Sequence, residues 1–265
     1  MGAEQEYAFR ASELAVSPKF PAWAFRSHDE FLKFLSKNQG KLDARHLYQL
    51  TLATRQERHE VSGVCAACLA PTDYSSIVDG ELLNDGRRMP NWREGLRCGC
   101  ARRLNNRQRA VIHFAQACGL LPWMESVLIG ATENFALAYM DVAPRALCLA
   151  HFSVGGGSEV FAAESKHFIV STDEFQFVDD SLAAFARCAA ALVPGGRCIF
   201  TVPFHVHDAH SVMKNEGGVG QAHQFGWDIL KRLQEAGFRD VSALLYWSEE
   251  LGYLGNMNFI FLGIK

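Results

Sequence analysis

The eight cysteines divide by spacing into two kinds. Cys65 and Cys68 form a CxxC pair and Cys98 and Cys100 a CxC pair, with a turn-rich insert between the pairs. Two close-spaced thiol pairs suit tetrahedral coordination of a structural Zn2+ by four thiolates, a staple for a segment too small to build its own core. A redox CxxC is the competing chemistry. It has no use for the second pair, and neither pair opens a βαβ helix. No His or carboxylate stands directly beside the pairs to suggest an open catalytic position, Glu94 being the acid nearest in sequence. Cys118, Cys148, Cys188 and Cys198 stand singly in apolar segments and read as reduced core thiols.

A second cluster follows the β-rich run CIFTVPF: His205, His207, Asp208 and His210. Three readings stay open. A histidine could be a general base, the HxHxxH spacing with Asp208 could hold a second metal, or the segment could be a plain polar loop.

These groups need elements to position them. Ser27 or Asp29 can cap a helix over FLKFLSKN, and leucines at helical spacing continue it past Gly40. The KFPAWAF segment before it reads as a packed arm. LNNRQRAVIHFAQACGL reads as a helix ending at Gly119. SVLIGA is a first strand, TENFALAYM a helix capped by Thr132, and RALCLAHF a second strand. HFIVS is a further strand, Asp179-Asp180-Ser181 caps a helix, and Pro194-Gly195-Gly196 stops it before CIFTVPF. ILKRLQEAGF is an amphipathic helix stopped by Gly237. VSALLYWS and NFIFLGIK close the chain as two strands. Strand, helix and strand in this order make βαβ crossovers, so an open, mainly parallel α/β sheet is expected, with ligands beyond the carboxyl ends of its strands.

The run FIVSTDEFQFVDDSLAAFARCAAALVPGGRCIFTVPF also resembles the fourth strand, following helix and fifth strand of class I S-adenosylmethionine-dependent methyltransferases. The resemblance implies a Rossmann-like class I methyltransferase sheet. It departs from the family at Gln176-Phe177, where Glu-His is common. It also implies a glycine turn after the first strand and an acid ending the second, whereas this chain offers Gly130-Ala131-Thr132 and Ala150-His151. On the resemblance, S-adenosylmethionine would lie near Gly130, Thr132 and Asp173, with Glu159 able to replace the missing ribose ligand and His205 or His207 as base. Gly155, Gly156 and Gly157 could cradle the cofactor, although adjacent glycines more simply make a turn. The interval up to His167 is too short for a full strand and helix, so the sheet is expected to be shortened by one βα unit. The order of CxxC, WREGLRCGC and LNNRQRA before such a domain is similar to a bacterial group of zinc-bearing methyltransferase-like proteins often associated with surface-carbohydrate synthesis.

The expected organisation is therefore a helical region over 1–60, a zinc-ribbon-like module with a linking helix over 61–122, and a methyltransferase-like domain over 123–265. A chain of 265 residues that is 49% hydrophobic and 21% charged can build such cores. A net charge of −3 gives no general pull toward nucleic acid, despite the run Arg97, Arg102, Arg103, Arg107 and Arg109. No apolar run approaches the ~20 residues of a membrane span. The N-terminus has no apolar signal core, so a cytoplasmic protein is expected. Two functions follow: a methyltransferase acting on a small or carbohydrate-linked acceptor, or an inactive methyltransferase-fold module stapled by zinc for binding or assembly.

Overall fold

A computed structural model describes residues 19–152, 161–216 and 220–265. Contacts divide these into two compact units. One is built from residues up to Trp23, Leu32–Gly119 and Leu245–Asn258, the other from Ala24–Phe31, Leu120–Leu244 and Phe259–Lys265.

The strands are β1 (Ala22–Phe25), β2 (Arg58–Cys65), β3 (Ala70–Ile77), β4 (Ser126–Ile129), β5 (Ala146–Leu149), β6 (Lys166–Thr172), β7 (Leu192–Thr201), β8 (Val212–Glu216), β9 (Gly220–Gln224), β10 (Asp240–Ser248) and β11 (Tyr253–Ile264). The helices are α1 (His28–Thr51), α2 (Asn106–Ala117), α3 (Glu133–Val142), α4 (Ser181–Ala191) and α5 (Asp228–Glu235). Seven strands form one sheet in the order β1-β10-β11-β7-β6-β4-β5. β5, β4, β6 and β7 run parallel, and β11 runs antiparallel to β7.

β4 is buried at all four positions, which is why SVLI carries no alternation: an interior parallel strand is covered on both faces. From β4 the chain passes through α3 to β5 on one side, and the next strand, β6, pairs on the other side of β4. The order therefore reverses between β4 and β6, and a crevice at the carboxyl ends of these two strands is where such sheets take ligands. Among the described residues no strand or helix lies between Leu149 and Lys166.

α4 begins where its cap requires. Asp180 is extended, and its Oδ1 accepts from Ala183 N at 3.0 Å. Asp180→Ala should lower the unfolding free energy by about 1 kcal/mol, seen as an earlier urea midpoint at unchanged slope. The buried face of α4 brings Phe185 onto an aromatic cluster, with Phe175 at 4.9 Å and Phe200 at 5.3 Å between ring centres. Phe175 belongs to a single 3-10 turn, Phe175–Phe177, that follows β6.

The structure adds to the expected elements and corrects two readings. KFPAWAF, read as a packed arm, supplies the edge strand β1. β11 begins at Tyr253, not near Asn258, because the left-handed φ of +60° at Gly252 closes the turn early and Tyr253 and Leu254 are buried. Past His210, β8 and β9 pair antiparallel, from Val212↔Gln224 to Glu216↔Gly220. Cys148, on β5 at the end of the sheet order, is exposed rather than core. Cys118, Cys188 and Cys198 are buried.

Candidate functional site

The thiols converge because the CxxC pair sits at a hairpin turn. β2 and β3 pair antiparallel from Arg58↔Ile77 to Cys65↔Ala70, so Cys65 ends one strand and Cys68 lies in the connection. Leu69 closes that turn at φ +55°. A second backbone bend is fixed by Arg103 N donating to Cys100 O and Cys98 N to Leu104 O. Cys65 Sγ lies 3.3 Å from Cys68 Sγ, which lies 4.0 Å from Cys98 Sγ. Cys100 Sγ is 2.7 Å from Cys98 Sγ. A tetrahedral tetrathiolate with bonds of about 2.3 Å has sulfur–sulfur edges of about 3.8 Å; the Cys68–Cys98 spacing is near that, whereas Cys65–Cys68 and Cys98–Cys100 are shorter, and Cys100 lies outside the group of three thiols that could hold an ion.

Among the described residues, Cys65, Cys68 and Cys98 are the one group of His, Cys, Asp and Glu side chains close enough to hold a metal ion. Cys68 is pushed up to about 12, chiefly by burial, and Cys98 to about 12, chiefly by its hydrogen bond with Cys65. Cys65 is lowered, first by the hydrogen bond from Cys98 and then by the positive Arg109, against the opposing cost of burial. Without a cation the cluster shares its protons and resists full ionisation; a divalent ion would displace them.

Glu94 is not part of this group. Its carboxylate accepts from Arg107 Nε at 2.9 Å and Nη2 at 2.8 Å, from Arg93 at 2.5 Å and from Asn105 Nδ2 at 2.9 Å. Asn105 also caps α2 in a reciprocal box with Gln108. Arg109 is fully buried, so the basic run is not a continuous surface patch.

The second site is the switch point between β4 and β6. Gly130 follows β4 at φ +68°, its N donating to Leu149 O and its carbonyl accepting from Thr172 Oγ1. A Cβ on Gly130 would lie 3.0 Å from both Cβ and Oε2 of Glu174, so glycine is needed for packing as well as for conformation. Thr132 occupies the N-cap of α3 with an extended backbone. Asp173 ends β6 at φ +55°, a conformation that aspartate tolerates better than most residues. Its Oδ1 accepts from Thr201 Oγ1 at 2.9 Å, and its N donates to Thr201 O.

Glu174, which sequence reasoning passed over, is placed by that left-handed residue. Its side chain is nearly buried, and Oε1 accepts from Phe152 N at 3.1 Å and lies 3.1 Å from His151 Nδ1. Gly130, Asp173 and Glu174 thus meet at one sheet edge. Glu159 lies outside the described residues, as do Gly155, Gly156 and Gly157.

His205 and His207 follow β7 at the same carboxyl edge. His205 Nδ1 is 3.8 Å from Asp208 Oδ2, and both side chains are partly exposed. His207 and His210 are exposed. The segment is tied to the body by Trp227 Nε1 donating to Val206 O and by Trp227 N donating to Asp208 O. Trp227 itself is a core residue, packed edge-on to Phe204 at 5.2 Å.

No family model matches the chain, and neither does any curated protein. Several solved structures are similar to it. A S-adenosylmethionine-dependent methyltransferase from Mesorhizobium loti is 14% identical over 55% of this chain and 92% of that one, with a TM-score of 0.38. Another from Thermotoga maritima is 18% identical over 58% and 87%, with a TM-score of 0.37. The 1,6-didemethyltoxoflavin-N1-methyltransferase of Burkholderia thailandensis is 14% identical over 60% and 77%, with a TM-score of 0.41. The strand order makes the sheet Rossmann-like; likeness of this degree says nothing of activity or acceptor. No described helix is long and apolar enough to cross a membrane.

Proposed function

We propose that this chain binds S-adenosylmethionine at the carboxyl edge of β4 and β6 and transfers its methyl group to a small or carbohydrate-linked acceptor. The observation that supports this reading is the meeting of a positive-φ glycine with two carboxylates, Asp173 and Glu174, at the point where the strand order reverses. The bound cofactor supplies a methyl group already activated by its sulfonium, so the protein has mainly to align groups and handle one proton. Gly130 and Thr132 shape the turn against which the cofactor would lie. Asp173, held by Thr201, presents a fixed carboxylate beside it. His205 would take the proton of an acceptor hydroxyl, with the Asp208 carboxylate 3.8 Å from its Nδ1. His207, two residues on and exposed, is the alternative base.

The same reading gives Cys65, Cys68, Cys98 and Cys100 a structural zinc ion. All four ligand positions are then protein thiolates, with no open position for catalysis.

Calorimetric titration of the zinc-loaded protein with S-adenosylmethionine and S-adenosylhomocysteine tests the enzyme reading. Binding should give measurable heat, and ligand at a hundred times Kd should stabilise the fold by about 2.7 kcal/mol. Neither heat nor thermal shift at millimolar ligand would leave the inactive binding module as the better account.

A further inference from the structure

We infer that Glu174 is the acceptor for the vicinal ribose hydroxyls of a nucleoside-bearing ligand, in place of the acid that the end of β5 lacks. The inference rests on the cofactor reading above. In sheets of this kind an acidic side chain about 20 residues past the glycine turn holds the ribose diol. Here that place is Ala150-His151, and it carries no carboxylate.

The fold delivers one from another strand. β6 pairs with β4, and β4 with β5, so a side chain leaving the end of β6 must cross the end of β4 to reach the end of β5. Glu174 does this. The left-handed turn at Asp173 redirects the chain, Phe175 anchors the next position at 5.7 Å from Phe152, and Gly130 leaves room for the glutamate to lie across β4. The carboxylate arrives on Phe152 N, three residues beyond the last residue of β5.

A carboxylate has about four acceptor sites, and Phe152 N and His151 Nδ1 engage only one of its two oxygens. The backbone bond fixes the group's position. The His151 contact is made by a side chain 84% exposed, a partner that an incoming hydroxyl can displace at low cost. A fixed, nearly buried carboxylate with one weakly held partner is suited to a pair of adjacent hydroxyls, since each donates to an oxygen already oriented for it. It also selects against a ligand without the diol, which would leave the desolvated carboxylate poorly satisfied.

The test compares wild type with Glu174→Gln, using S-adenosylhomocysteine and its counterpart lacking both ribose hydroxyls. Glu174→Gln should bind S-adenosylhomocysteine at least about tenfold more weakly, while both proteins bind the diol-free ligand equally. Equal loss on both ligands would reduce Glu174 to a packing role, and tighter binding by the variant would make it a cover over the site; either overturns the inference. So does unchanged affinity in a variant whose wild type binds. Absence of binding by wild type instead removes the underlying cofactor reading, and the inference with it. Should Glu174→Gln not fold, Glu174→Asp, too short to reach Phe152, should show the same ligand-dependent loss.

Discussion

Arg109→Met should destabilise the unit that carries the thiols by about 3 kcal/mol, because its buried guanidinium serves three carbonyl oxygens at once. Nη1 donates to Leu251 O at 2.7 Å, and Nη2 donates to Gly252 O at 3.0 Å and to Leu96 O at 3.2 Å. The plane stacks on Tyr74 at 4.0 Å from the ring centre. Methionine fills similar volume but leaves three acceptors in a dry interior without donors, and each such loss costs about 1–3 kcal/mol, less than additively. The relief of removing a buried charge opposes this only partly, since the cation also faces the thiols and lowers Cys65. Arg109→Lys should recover little, because one ammonium cannot reproduce the fork across Leu96 and the Leu251–Gly252 turn. Urea unfolding of the metal-loaded protein checks both. A loss below ~1 kcal/mol at unchanged slope would show that water, not Arg109, satisfies those carbonyls.

Arg109 also shows where the sequence is silent. In the chain it stands among Arg97, Arg102, Arg103 and Arg107, and nothing in the run distinguishes an inward guanidinium from a solvated one. What sequence does encode is local. The helix over LNNRQRAVIHFAQACGL, the cap at Asp180 and the apolar run of β4 each depend on neighbours within a turn or a strand, and each is legible. The β2–β3 hairpin is hidden because its turn closes with Leu69 in a left-handed conformation that leucine seldom adopts. β1 is defined only by its distant partner β10. Glu174 escapes for the same reason: its meeting with Phe152 spans β4, and no spacing along the chain announces it. The thiol pairs are the exception among the sites, since four cysteines in two close pairs constrain geometry through chemistry alone.

Those thiols carry the largest expected effect. The purified chain should hold about one zinc ion, and Cys98→Ser should lose it together with the fold of the surrounding segment. Cys98 is the decisive position because its Sγ adjoins both Cys68 and Cys100. Structural zinc contributes an apparent ~10–16 kcal/mol, as much as the whole stability of an ordinary domain, so the segment cannot survive its loss by packing alone. Chelation should therefore reproduce the variant's effect: a lower Tm and rapid amide exchange across β2 and β3. Cys148→Ser, on the exposed edge strand, should change neither metal content nor melting. The competing redox chemistry predicts a different result. Each pair would then close to a disulfide on mild oxidation, with sulfurs drawn from their present 3.3 Å and 2.7 Å to about 2.05 Å, and without a metal to expel. Metal analysis beside thiol titration separates the two. Stoichiometric zinc with four thiols protected from alkylation until chelator is added supports the staple; a metal-free protein with two reversible disulfides overturns it.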